Sequence, residues 1–176
     1  SGTDAYSIAP VMTNIEQISV TSSGATADDG SGLTVNLAEA TSITKVMNIT
    51  SNDAVTFDNL SNIVTAEVKS SVNDTTVVYE KGVLAGDSDN MNLIIKGTND
   101  TDVSIESDSA TAVLENLTIS SQSVANTLDD LATTDVKVPK ITITGDKLLT
   151  ISAALDAEVI TIDSSVANLC GLMGKE

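Results

Sequence analysis

The chain has 176 residues, 41% of them apolar, which is enough for one folded domain or two small ones. It has no His, Trp or Arg, and only 2% of its residues are aromatic, so neither a His-assisted nucleophile nor an aromatic-lined pocket can be built from it. The formal net charge of −17 argues against nucleic acid and anionic lipid as partners, since both need clustered basic side chains. We therefore expect a protein that is not an enzyme.

The sequence predicts neither a membrane span nor a disulfide. No apolar run approaches the roughly 18 residues that a spanning helix requires. No N-terminal signal peptide is visible. Cys170 is the single cysteine, so it has no partner for an internal bridge.

Short segments rich in Thr, Val, Ile and Leu recur along the whole chain, separated by Asp, Asn, Ser and Gly. Their alternation of polar and apolar residues predicts half-buried strands, and the separators are typical of turns. The twelve predicted strands begin near Ile15, Leu33, Val46, Val55, Val64, Thr76, Asn92, Val103, Leu117, Ile141, Leu149 and Val159. Grouped in twos and threes they form irregular units of about 20 to 25 residues, which is typical of solenoid rungs.

Two all-β architectures fit this pattern. In an irregular parallel β-solenoid, or β-helix, each strand pairs with its equivalent on the next rung, and the narrow interior suits small branched side chains. A β-sandwich also has short strands at this spacing, but a sandwich core usually holds a large aromatic residue. The near-absence of aromatic residues favours the solenoid, with the β-sandwich as the alternative.

One stretch departs from the strand pattern. Val124, Leu128 and Leu131 follow helical spacing, with Asp129 and Asp130 on the opposite side, which predicts a short helical insertion near 123–135. We divide the chain into an N-terminal extension or linker at 1–13, a solenoid segment at 14–165, and a C-terminal tail or truncated next rung at 166–176. We expect the chain to be a piece of a longer protein.

Two acidic segments have the side chains that calcium prefers. Calcium takes six to eight oxygen ligands from carboxylates, amides and carbonyls. Asp87, Asp89 and Asn90 supply several such oxygens within four positions, and Asp100 with Asp102 forms a second group. Neither group follows the EF-hand pattern. The alternative is an Asp-rich turn, in which such side chains commonly accept hydrogen bonds from nearby backbone amides.

Six segments together carry a family resemblance that covers nearly the whole chain, from about residue 14 to 165. They are 14–20 (NIEQISV), 89–97 (DNMNLIIKG), 114–119 (LENLTI), 125–128 (ANTL), 141–151 (ITITGDKLLTI) and 160–164 (ITIDS). These segments resemble the rungs of bacterial surface-layer proteins, of the calcium-dependent, type I-secreted kind found on Gram-negative cells such as Campylobacter and Caulobacter.

The resemblance implies a structural segment of a surface layer (S-layer) on the outside of the bacterial cell. Such a protein assembles with identical subunits into a two-dimensional lattice locked by calcium, and attaches to lipopolysaccharide through another region. The chain departs from the family in two respects: the glycine-rich calcium motif Gly-Gly-x-Gly-x-Asp is absent, and Cys170 is unexpected. The alternatives are a spacer or receptor-binding module of a large secreted repetitive adhesin and, less well supported, a carbohydrate-active β-helix.

Overall fold

The computed structural model describes residues 6–23, 32–155 and 157–162, together with the backbone of 169–170. Strands are numbered β1 to β17 in chain order, and every strand pair is parallel. The eight-stranded sheet has the order β1 (Tyr6–Ile8), β3 (Leu33–Asn36), β5 (Val55–Leu60), β7 (Thr75–Tyr79), β9 (Thr101–Ser107), β12 (Asn126–Thr134), β15 (Leu149–Ile151), β17 (Leu169–Cys170).

A second sheet runs alongside the first. This seven-stranded sheet has the order β16 (Val159–Ile162), β14 (Lys140–Gly145), β11 (Asn116–Gln122), β8 (Asn90–Lys96), β6 (Thr65–Lys69), β4 (Lys45–Ile49), β2 (Gln17–Val20). A two-stranded sheet pairs β10 (Ala112–Val113) with β13 (Val136–Lys137). Apart from β10 and β13, the strands alternate along the chain between the two large sheets, which makes the chain a parallel β-solenoid and confirms the predicted fold.

The alternation of buried and outward side chains produces the core. In β9 and β11 every second residue is buried, as the period of two in a strand requires. Because the rungs are in register, inward side chains stack in columns such as Val35, Phe57, Val77 and Ile105, all of which are buried. The solenoid interior is thus a continuous stack of mainly aliphatic side chains.

Four successive rungs turn at the same corner between the seven-stranded and the eight-stranded sheet. Thr50, Ser70, Gly97 and Ser123 occupy equivalent positions there, each directly after the strand pairing, and all four have positive φ. A residue in the left-handed region changes the direction of the backbone sharply, so a strand in one sheet can lead directly into a strand of the other. The four corners therefore share a backbone conformation although their residues differ.

The predicted helical insertion near 123–135 is wrong, because β12 occupies this stretch. Leu128 and Leu131 are both buried, although they lie three residues apart, because a β-bulge inserts Asp129 and Asp130 between them. Between the two paired positions, β12 therefore advances by three residues while β9 advances by two. Val124, the first residue of the apparent helical stripe, is 54% exposed. The bulge thus reproduces the spacing of a helix without forming one.

The β-sandwich alternative is also wrong, because the paired strands are parallel and connected through successive rungs. The pairing extends beyond the limits of 14–165, since β1 pairs with β3 and the backbone of β17 pairs with β15. Paired residues on successive rungs are between 19 and 28 residues apart, a wider range than the sequence pattern indicated.

Gly145 provides a test of rung packing. Its φ is +110°, and a Cβ atom there would lie directly against the backbone carbonyl oxygen of Ser121 on the neighbouring rung. We expect Gly145→Ala to lower the free energy of unfolding by at least about 3 kcal/mol, from backbone strain and a clash that rigid backbone cannot relieve. Chemical denaturation measures this loss.

Gly82→Ala is the matched control. Gly82 has φ +94°, but nothing lies within 4 Å of the added Cβ, so this variant carries the backbone strain without the clash. We expect a loss of about 1 kcal/mol there. Equal losses in the two variants would contradict the close approach of β14 and β11.

Candidate functional site

The first group of predicted calcium ligands lies in the loop before β8 and at its first residue. The carboxylate of Asp89 accepts a hydrogen bond from the backbone N–H of Gly86 at 3.0 Å. The backbone N–H of Asp89 donates to the Glu115 side chain at 2.8 Å, and the Asn90 amide donates to the carbonyl of Ser88. Side chains in this loop thus make the local hydrogen bonds expected of an Asp-rich turn.

The second predicted group lies after β8, at the start of β9. Asp100 has φ +53°, and its carboxylate accepts a hydrogen bond from the side-chain amide of Asn99 at 3.1 Å. Asp102 is the second residue of β9 and points outward between buried Thr101 and Val103. The two predicted groups therefore lie at opposite ends of β8 and are not brought together.

Asp102 instead belongs to a column of acids on the outer face of the eight-stranded sheet. The register places Asp74, Asp102 and Asp130 at equivalent positions on three successive rungs, which are about 4.8 Å apart. The carboxylate of Asp74 accepts a hydrogen bond from the backbone N–H of Asp102 at 3.3 Å, and that of Asp102 accepts one from the backbone of Asp130. We call these three residues the acidic column.

Burial, together with the charges of the acidic column, raises the pKa of Asp102. Partial burial disfavours the charged form of Asp102, and the negative charges of Asp74 and Asp130 act in the same direction. The hydrogen bond from the Asp130 backbone opposes these effects without cancelling them. The outer face of the eight-stranded sheet therefore concentrates negative charge that a cation could neutralise.

The outer face of the seven-stranded sheet carries an ion-paired cluster of Lys45, Glu67 and Lys96. Glu67 lies on β6 with its side chain only 7% exposed, and its two carboxylate oxygens accept hydrogen bonds from Lys45 at 2.6 Å and Lys96 at 2.9 Å. These lysines belong to the strands on either side of β6. Burial opposes ionisation of Glu67, but the hydrogen bonds and charges of both lysines outweigh it and lower its pKa.

Within the described part of the chain, no three His, Cys, Asp or Glu side chains form a group that could hold a metal ion. The acids at 87, 89, 100 and 102 and the amide at 90 thus form no such group within one copy. Calcium binding stays a prediction.

Sequence reasoning did not identify Glu67 or the acidic column as features. The sequence pattern places Asp130 on the polar side of a helix, away from any equivalent on another rung. One signal was available for the column: its members are each 28 residues apart, the separation of Asp74 and Asp102 in their hydrogen bond. Nothing local to Glu67 predicts its partners, because they lie one rung away in each direction.

Glu67→Gln tests the ion-paired cluster. We expect it to lower the free energy of unfolding by about 1–2 kcal/mol at pH 7, because the two lysines lose their partly buried counter-charge. The folded-state pKa of Glu67 lies below its ordinary value of 4.5, so its stabilisation is present above that pH and is lost as the pH falls through the folded pKa. The difference from wild type, measured by chemical denaturation, should shrink below pH 4.5.

The control for this variant is Glu158→Gln. Glu158 pairs with Lys137 at 2.7 Å, but both side chains are more than half exposed, so we expect no measurable change in stability. A Glu67→Gln variant as stable as wild type at neutral pH would contradict the cluster.

Asp102→Asn tests the repulsion within the acidic column. We expect it to raise the free energy of unfolding by about 0.5 kcal/mol at pH 7, a value reduced for solvent screening. Because the folded-state pKa of Asp102 is raised, the protonated wild type recovers this stability as the pH falls from the folded pKa to the unfolded value near 3.8. The gain should therefore vanish below pH 3.8.

Asp108→Asn serves as the comparison, since Asp108 is exposed and lies after β9, outside the column. We expect no gain in that variant. If Asp102→Asn destabilised the protein at pH 7, the assigned repulsion would be wrong.

Comparison of the chain with protein-family models, with curated proteins and with solved structures finds no match. None of the described residues forms a helix long and apolar enough to cross a membrane. We therefore infer function from the positions, charges and contacts of the described residues.

Proposed function

We propose that this chain is a structural segment of a bacterial cell-surface layer that assembles with identical copies into a two-dimensional lattice. The observation that supports this role best is the uninterrupted parallel stacking of rungs into two long sheets. Such a stack is a stiff body with repeated outer faces, and solenoids use extended surfaces of this kind for contact. The proposed role is structural and involves no catalysis.

Exposed apolar side chains at one end of the stack support contact with another protein surface. Tyr6 and Ile8 lie on β1, the edge strand of the eight-stranded sheet, and are 67% and 49% exposed. Val11 and Ile15 nearby are exposed as well. Edge strands offer unpaired backbone groups, and clustered apolar side chains favour burial against a partner. A neighbouring copy, or another part of a longer parent protein, would cover this end.

Calcium enters the proposal as an ion that bridges copies. The carboxylates of the acidic column, of Asp87, Asp89 and Asp100, and the amide oxygen of Asn90 are hard oxygen donors, and each group alone supplies fewer than the six to eight ligands that calcium takes. Acidic segments of two copies together would complete the coordination. A net charge of −17 also repels identical copies until cations neutralise it.

The proposed location is the outer surface of the bacterial cell, with attachment to lipopolysaccharide through other regions of the parent protein. This part of the proposal comes from the resemblance of the rung segments to calcium-dependent surface-layer proteins. The alternative, an adhesin spacer, shares the fold and differs in assembly: a spacer stays monomeric, whereas a lattice protein forms ordered sheets.

Assembly in calcium distinguishes these roles. We expect ordered sheets by electron microscopy, and a rise in scattered light, in millimolar calcium, with reversal by chelator. Magnesium at equal concentration is the control, because it demands octahedral geometry and retains its water ligands, so it bridges poorly. A protein that stays monomeric in calcium would contradict the lattice and favour the spacer.

Two sets of variants identify the acids that bind the ion. One set replaces Asp74, Asp102 and Asp130 with Asn. The other replaces Asp87 and Asp89 with Asn. We expect the set that supplies bridging carboxylates to raise the calcium concentration at half-assembly at least about tenfold, as loss of coordinating charge weakens calcium sites. Unchanged assembly in both sets would show that calcium acts through other residues.

A further inference from the structure

The two large sheets of the solenoid differ in charge. Strands of the eight-stranded sheet contain five acidic residues and no lysine, whereas strands of the seven-stranded sheet contain four lysines and one acid. The acids of the first are Asp58, Asp102, Glu106, Asp129 and Asp130. The charged residues of the second are Lys45, Lys69, Lys96, Lys140 and Glu67. Half of the eight lysines of a strongly acidic chain thus lie on one sheet.

These charged side chains lie on the outer faces of the sheets, because the residues next to them in the strands face the core. Asp102 and Glu106 alternate with buried Val103 and Ile105 along β9. On the other sheet Lys140 precedes buried Ile141. The two faces therefore present opposite charges on opposite sides of one solenoid.

The basic face also has an apolar component. Met47, Ile49 and Ile94 point outward from β4 and β8 and are partly exposed beside the lysines. Lys45 and Lys96 form ion pairs with Glu67. The exposed lysines Lys69 and Lys140 can therefore pair with acidic side chains of another molecule. A basic face with partly exposed apolar side chains is complementary in charge to an acidic sheet face, and small side chains on that face allow close contact.

The eight-stranded sheet is such a surface. Next to its acids, the outward column contains Thr34, Thr56, Thr76 and Ser104 in register. From strand spacing and rise, the eight-stranded face measures about 34 Å along the stack and the seven-stranded face about 29 Å, and each is about 17 Å across. Stacking one face on the other buries about 1,000 Å² in total, which is the size of a weak or transient interface.

We propose that the outer face of the seven-stranded sheet is the docking surface for the outer face of the eight-stranded sheet of a second copy. The inference rests on the proposed role in self-assembly and assigns the surfaces that meet. The contact is heterologous, since different faces pair, so a pair of copies retains one free basic face and one free acidic face, and further copies add in an open row. Opposite charges align the partners, and no calcium is needed in this contact.

Ionic strength sets the conditions in which the contact is observable. At 0.1 M salt the Debye length is about 10 Å, so repulsion between whole chains is screened while ion pairs at contact persist. At 1 M salt the length is about 3 Å, and the pairs also weaken. We therefore expect weak association in chelator at 0.1 M salt, with a Kd below about 1 mM, that falls as salt rises.

Sedimentation equilibrium in chelator tests the faces with charge-reversed variants. K69E/K140E reverses the two exposed lysines of the basic face, and E106K/D129K reverses two acids of the other face. We expect each to weaken association at least about tenfold, because like charges then meet across the contact. K81E/K147E changes the net charge by the same amount as K69E/K140E but lies outside both sheets, and we expect less than about a threefold effect.

A mixture of the two face variants provides the decisive result. In the mixture, the acidic faces of K69E/K140E meet the basic faces of E106K/D129K, so association should return while each variant alone stays monomeric. Circular dichroism melts check that all variants are folded. No association of wild type, equal effects of both lysine pairs, or a mixture that stays monomeric would overturn the proposed face pairing.

These outcomes are separable from those of the calcium experiment. Sheets formed in calcium by a protein that is monomeric in chelator would overturn the face pairing and leave the lattice in place. Association in chelator without sheets in calcium would support the face pairing and contradict the lattice.

Discussion

In-register parallel pairing between rungs is the constraint on which the rest of this solenoid depends. A strand can pair with the next rung only if its backbone stays about 4.8 Å away along its length, so every side chain lies beside its equivalents above and below. Apolar equivalents such as Phe57 and Val77 gain from this stacking in the core. Outward equivalents are stacked as well, whether or not their charges agree.

The charged columns show both results of this stacking. Asp74, Asp102 and Asp130 are neighbours because their rungs are, and their mutual repulsion is reduced only by backbone hydrogen bonds between rungs. Glu67 has the opposite surroundings, since the strands on both sides supply a lysine. Its carboxylate can therefore lie almost buried on an outer face without an unpaired charge. One geometry thus produces a repulsive column on one sheet and an attractive cluster on the other.

The sequence predicts the strands and their stacking well but not which residues become neighbours. Alternating patterns such as Ile141–Thr142–Ile143–Thr144 predict strands because the strand period is local. Register depends instead on loops whose length changes from rung to rung, so the partners of Glu67, which lie 22 and 29 residues away, could not be identified from spacing alone. The bulge at Asp129 and Asp130 places two buried leucines three residues apart, as a helix does, which is why the spacing predicts a helix there. Local periodicity cannot distinguish these two structures.

The opposite charges of the two faces also limit what kind of assembly they can produce. Pairing of unlike faces adds copies in one direction only, because each copy has a single face of each type. A two-dimensional lattice needs contacts in a second direction as well. Along the stack, the exposed apolar residues near β1 would provide one such contact. Direct ion pairing would occupy the outer face of the eight-stranded sheet, which contains the acidic column, so calcium bridges in a second direction would come from the acids outside that face, Asp87, Asp89 and Asp100. Ion pairing and calcium would then act on different acids, and an extended array would form without neutralisation of the whole acidic surface.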